Sequence, residues 1–253
     1  MTTYPFHFNR VDPSWRECLQ RGLSQIDPPY LEKLSHSHDW LPGPDHLFNA
    51  FSLPLHQVNY VLFGESPYPR RDSANGYAFW DAAVTDLWST TGLNKKVNRA
   101  TSLRNIIKML LIAEGLLDPQ HTRQEDIARL QKSHLVQTNA AFFTNFLSHG
   151  FLLLNASLVL QATPPQYDAR AWYPFINQLL DCLLENRPNT TFILLGRIAS
   201  ALDQFIRHHP QIKILSAEHP YNLSFITNHE VIKFFQPLHL LRHPPFSNLL
   251  SAM

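Results

Sequence analysis

Three polar positions that end apolar runs carry the residue types with which a protein does chemistry. The first, Gly64-Glu65-Ser66-Pro67-Tyr68-Pro69, sets a carboxylate, a hydroxyl and a phenol on a turn stiffened by proline. Glu65 offers a base or a fixed negative charge; an ordinary strand-to-loop turn is the alternative. The second is Asn155, directly after Phe151-Leu152-Leu153-Leu154. Its amide is costly to bury without partners, so it either caps a turn or reads the polar edge of a ligand with one donor and one acceptor. The third is His219, followed by Pro220. It is either a structural histidine or a donor to an oxygen that turns negative as a group departs. Close behind the first motif, Tyr77, Phe79 and Trp80 add aromatic surface that either stacks on a planar ring or joins the core.

Strands must position these residues. Short apolar runs rich in strand-favouring residues lie at Asn59–Phe63, Phe151–Asn155, Thr191–Leu195 and Lys213–Ser216. Segments of helical periodicity, Ser102–Glu114, Tyr173–Leu184 and Ile198–Ile206, lie between them. Strands joined by helical crossovers make a parallel sheet, and runs apolar at every position suit strands buried on both faces. The expected fold class is α/β: one three-layer α/β/α domain over residues 1–253, with a central four-stranded, mainly parallel sheet. In such sheets ligands bind beyond the carboxyl ends of the strands, where Gly64-Glu65-Ser66, Asn155, Gly196-Arg197 and Glu218-His219-Pro220 fall. The segment Trp80–Thr101 mixes Trp88 with Asn94, Lys95, Lys96, Asn98 and Arg99, and reads equally as a mobile loop or a short helix.

Composition narrows the class. The 253 residues are 44% hydrophobic and 16% charged, without an apolar run long enough to span a bilayer. Met1–Arg10 shows no secretory pattern, so a cytoplasmic protein without membrane attachment is expected. Two cysteines, Cys18 and Cys182, are too few for a disulfide framework and read as ordinary reduced residues. A net charge of +1 means that any contact with nucleic acid must be local.

Taken in order, these motifs resemble the uracil-DNA glycosylase superfamily. The similarity is greatest to the branch, also found in poxviruses and herpesviruses, whose first motif is G-Q-D-P-Y-H and whose last is H-P-S-P-L-S. In that branch the uracil-stacking Phe lies fifteen residues after the first motif Gly, the separation of Gly64 and Phe79. His46-Leu47-Phe48-Asn49-Ala50-Phe51, Ser102-Leu103-Arg104-Asn105-Ile106, Gly150 to Asn155 and Ala171-Trp172 look like further family segments. The resemblance implies that Tyr68 closes the pocket against the methyl group of thymine, Phe79 stacks on uracil and Asn155 reads its polar edge. It likewise implies that His219 stabilises the departing uracil anion and Leu223 fills the gap in the duplex. Ser102 and Ser224 would grip phosphates beside the flipped nucleotide.

The departures gather at the catalytic motif. Ser66 stands where the family places the carboxylate that orients water and stabilises the cationic sugar. Tyr221-Asn222 replaces Ser-Pro in the DNA-intercalating loop, Pro69 replaces a histidine, and Trp80–Thr101 stands in place of a proline-rich loop. Glu65 resembles the glutamate in the G-E-A-P-G motif of an iron-sulphur branch, which makes it the candidate base. The implied activity is a monofunctional glycosylase, a monomer needing no metal or organic cofactor, that removes uracil from single- or double-stranded DNA. A catalytically impaired DNA-binding or partner-binding scaffold of the same superfamily is the alternative.

Overall fold

The computed structural model describes residues 6–37, 39–161, 164–197 and 201–243. The chain divides into two compact units, Met1–Asp81 with Gly150–Ser216, and Ala82–His149 with Ala217–Met253. Each is described by itself.

The first unit is built on the apolar runs. Tyr60–Gly64 (β1), Phe151–Asn155 (β4) and Thr191–Leu195 (β5) are strands, and Lys213–Ala217 (β6) is the fourth member of a sheet ordered β4-β1-β5-β6. β1 pairs in parallel with both β4 and β5, with Gly64 in register with Asn155 and Phe63 with Leu194. All five residues of β4 are buried, as are the last four of β1 and of β5. Burial on both faces explains runs without alternation, each fully buried large side chain contributing about 1.5–3 kcal/mol. The α/β class and the four-stranded sheet expected from the sequence are both present.

Helices Arg16–Leu23 (α1), Pro28–His36 (α2) and Pro165–Asn186 (α7) belong to the same unit, and α1 packs on α7. α7 buries Trp172, Phe175, Ile176, Leu179, Leu180 and Leu183, an i, i+3, i+4, i+7 stripe. Its first turn is tied down by a buried carboxylate. Asp168 accepts from the Tyr30 hydroxyl (2.8 Å) and from the Gln161 backbone N–H (2.9 Å) and carboxamide (2.6 Å). The periodic segment 198–206 appears as the helix Asp203–His208 (α8), residues 198–200 lying outside the described residues.

One expectation is overturned. Cys18 of α1 and Cys182 of α7 are not reduced thiols but form a disulfide across a separation of 164 residues, with Cα atoms 5.6 Å apart. Composition gave no hint of it, because only the docking of the two helices makes the pair adjacent. Closing so long a loop is worth about 3–5 kcal/mol in the chain-entropy account. Thermal melting should therefore show a transition several degrees lower for Cys182→Ser, and an equal shift for the parent protein under strong reductant. An unchanged melting temperature in both would show that the bond contributes nothing.

The second unit carries Thr101–Ala113 (α4), Gln124–Ala128 (α5), Asn139–Ser148 (α6) and His229–Phe235 (α9) around Phe142, Phe143, Phe146 and Phe235. The segment 80–101 is neither simply a loop nor simply a helix. It forms a hairpin of Trp88–Ser89 (β2) with Gly92–Leu93 (β3), then a single helical turn, Lys95–Arg99 (α3), capped by the Asn94 side chain. No helix of the described residues is long and apolar enough to cross a membrane.

Candidate functional site

In the first unit the ends of β1 and β4 are locked side by side. The ladder runs on past the strands, with Ala156 N–H donating to the Gly64 carbonyl and Ser157 N–H to that of Glu65. Gly64 has to be glycine, because a Cβ there would run into the Asn155 carboxamide oxygen and into Ala78. Asn155 is 4% exposed, yet its side chain makes no hydrogen bond to another described residue. Among the described residues the Asn155 side chain caps no turn. A nearly buried carboxamide without a protein partner calls for a polar ligand or water.

The segment 73–79 is held against this floor by the family-like stretch before β1. The Asn49 carboxamide, 3% exposed, donates to the Asn75 carbonyl (2.8 Å), and the Asn75 side chain accepts from Tyr77 N–H (3.1 Å). Gly76, at φ +88°, lies so close to the His46 carbonyl that no Cβ fits. The segment ends with Phe79 at φ 62°, a left-handed conformation that costs a non-glycine residue about 1–3 kcal/mol unless its surroundings impose it. They do. Ala78 N–H donates to the Leu153 carbonyl of β4 (3.1 Å), and the Tyr68 hydroxyl donates to the Phe79 carbonyl (3.1 Å). Burial, with the Asp81 carboxylate adding to it and Arg70 opposing, pushes the Tyr68 phenol well above its ordinary range, so it remains a neutral donor.

Glu65 is exposed and Ser66 half-buried, and both line a cavity of about 270 Å³ with Ala156, Ser157, Gln166 and Arg197. The Glu65 carboxylate makes no hydrogen bond within the described residues, so backbone amides do not occupy it. Tyr68, Phe79, Asn155, Glu65 and Ser66 thus all lie on this unit. Arg197 is a cation that residue type alone did not single out, although it stands at a polar strand end.

The second unit carries the other expected residues. His219 O accepts from Asn222 N–H (2.9 Å), closing a turn with Pro220 and Tyr221 at its tip. Tyr221 N–H donates to His219 Nδ1 (3.1 Å), so the neutral ring carries its proton on Nε2. Tyr221 and Leu223 are 68% and 71% exposed, an unusual display of apolar surface on one short loop. Ser102 lies half-buried in the first turn of α4, where backbone N–H groups lack helical acceptors. Ser224 is exposed, and the Glu218 carboxylate nearby accepts from the Asn228 carboxamide (2.8 Å).

Burial acts to raise the pKa of Glu218, but its own backbone N–H, Ser224 and Asn228 outweigh that and hold it below the usual carboxylate range. A depressed folded-state pKa means that this anchor is complete above the unfolded value and is lost as pH falls through the folded one. The protection of amides in the segment from 218 to 228, after correction for the intrinsic slowing of exchange in acid, should therefore fall as pH drops below the usual carboxylate range, and should already be lower at neutral pH in Glu218→Gln. Exchange indifferent to both would remove Glu218 as the anchor.

No family model matches the chain. It is 40% identical to the crystal structure of the wild-type UNG from Nitratifractor salsuginis, covering 94% of this chain and 95% of that one with a TM-score of 0.88. It is 28% identical over 222 residues to a uracil-DNA glycosylase of Acinetobacter baylyi (85% of this chain, 80% of the relative). To that of Chlamydia abortus it is 27% identical over 229 residues (87% and 85%). Mimivirus uracil-DNA glycosylase, 18% identical with a TM-score of 0.56 over 83% of this chain and 70% of that one, shares the fold.

Proposed function

Because the chain belongs to the uracil-DNA glycosylase family, we propose that it removes uracil from DNA by base flipping and hydrolysis of the N-glycosidic bond, the first step of base-excision repair. The observation that carries this reading is Asn155: a nearly buried carboxamide, without a side-chain partner among the described residues, at a strand end where Ala78 closes against β4 and the next residue, Phe79, takes a left-handed backbone. Its donor and acceptor match the adjacent carbonyl and ring N–H of uracil, and a flipped base needs an aromatic face to stack on.

In this reading Phe79 stacks on the extruded base, Asn155 reads its edge, and His219 donates from Nε2 to the oxygen that gains charge as uracil leaves. Glu65 takes the place of the carboxylate that Ser66 cannot supply, orienting water and stabilising the cationic sugar. Ser66 contributes a hydroxyl beside it. Leu223 and Tyr221 enter the base stack, and Ser102 and Ser224 hold phosphates. The product is an abasic site and free uracil, formed without metal or organic cofactor. The chain works as a monomer, in the cytoplasm wherever DNA is accessible, on single or double strands.

The test is release of uracil from single- and double-stranded oligonucleotides carrying one deoxyuridine, under single-turnover conditions. Release from either supports the reading. Binding without release would leave the alternative, a uracil-DNA binder whose catalytic carboxylate is lost at Ser66. The pocket wall makes a further prediction. Tyr68→Gly should open room for a methyl group and permit slow release of thymine, which the parent protein leaves in place; an equal refusal of thymine by both proteins would show that another residue forms that wall.

A further inference from the structure

The reaction proposed above needs His219 held to within a fraction of an ångström, and its loop is short, with Pro220 buried but Tyr221 to Ser224 all exposed. What holds it lies on α4. Asn105 is fully buried, and its carboxamide Nδ2 donates to the Pro220 carbonyl (2.7 Å) and, more weakly, to that of Asn222 (3.4 Å). The two carbonyls flank Tyr221, whose N–H fixes the His219 ring. The 3₁₀ turn Leu223–Thr227 that follows packs on the same helix.

The amide is oriented from behind. Arg104 Nε donates to Asn105 Oδ1 (3.2 Å), while Arg104 Nη1 donates to the Asn98 carbonyl (3.0 Å). Asn98 in turn donates to the Leu93 carbonyl (3.1 Å) and accepts from the Gln124 carboxamide (2.7 Å). A flipped Asn105 amide would set its oxygen against two carbonyl oxygens, so the network admits one orientation.

We propose that Asn105 is the positioning residue for His219, and that the segment 93–104 serves as its brace. The inference rests on the glycosylase reading for its consequence but not for its geometry. It gives the unplaced segment 80–101 a role: with Arg104 it keeps one carboxamide aimed at the turn that carries the leaving-group donor.

The test compares the parent protein with Asn105→Leu, of similar volume but without donors, and Arg104→Met, which keeps the donors but frees the amide to rotate. Single-turnover uracil release should fall about 30- to 100-fold in Asn105→Leu and about 3- to 10-fold in Arg104→Met. In a His219→Ala background the Asn105 substitution should cost less than about twofold, since a group acting through His219 has nothing left to act on. The ¹⁵N spectrum of the His219 imidazole should show one neutral tautomer in the parent and a mixture in Asn105→Leu.

Release within about threefold of the parent in a folded Asn105→Leu, or equal losses with and without His219, would overturn the proposal. Should the parent release no uracil at all, the glycosylase reading fails, while the ring spectrum still decides this one: an unchanged tautomer in Asn105→Leu sinks it. If that variant does not fold, Arg104→Met is judged by the same two measurements.

Discussion

Glu65→Ala is expected to lower single-turnover release of uracil about 100- to 1000-fold, the usual cost of losing one preorganised electrostatic group. In the proposed reaction the transition state places positive charge on the sugar, and the Ser66 hydroxyl has no charge to set against it. Glu65 is adjacent, lines the same cavity and bonds through its carboxylate to no other described residue. Glu65→Gln should lose nearly as much, since it keeps the shape and removes the charge. Ser66→Asp restores the family arrangement and should recover activity in the Glu65→Ala background. A Glu65→Ala protein within about threefold of the parent would end the shifted-carboxylate account; a silent parent revived by Ser66→Asp would identify the natural protein as a binder.

His219→Ala should cost about 100-fold or more, for a complementary reason. As the bond to the sugar breaks, negative charge collects on a uracil oxygen, and a neutral donor with its proton fixed on Nε2 stabilises that oxygen more than the ground-state carbonyl. Tyr221 N–H on Nδ1 is what fixes the proton. The loss should appear in the rate at saturating enzyme and leave the affinity for a deoxyuridine-containing oligonucleotide within about threefold, because the interaction grows only in the transition state. If affinity falls as far as rate does, His219 is a binding residue and the leaving-group role is wrong.

Much of this chain is legible in one dimension. Strand runs expected at Phe151–Asn155 and Thr191–Leu195 match the structure, and that at 59–63 is shifted by a single residue, because burial on both faces leaves an uninterrupted apolar signature; the run at 213–216, one residue short of the strand, has no buried residue and is legible from its strand-favouring residue types alone. The helix expected at 102–114 is Thr101–Ala113 for an equally local reason, its 3.6-residue period.

What residue type and spacing could not decide are facts of adjacency and direction. The disulfide joins residues 164 apart on two helices whose packing had to be known first. The segment 80–101 contains a two-residue hairpin, too short to leave a periodicity. Asn105 sits in a helical run as one more polar residue, and nothing local says that its donors meet carbonyls more than a hundred positions away. Phe79 is an ordinary aromatic until its φ of 62° is known, and His219 shows its tautomer only once Tyr221 N–H is seen on its ring. Local periodicity and side-chain chemistry suffice for most of the elements and for the family likeness. Which carboxamide lacks a partner among the described residues, which backbone is held left-handed and which donor meets a carbonyl depend instead on what folding brings within hydrogen-bonding reach from distant segments.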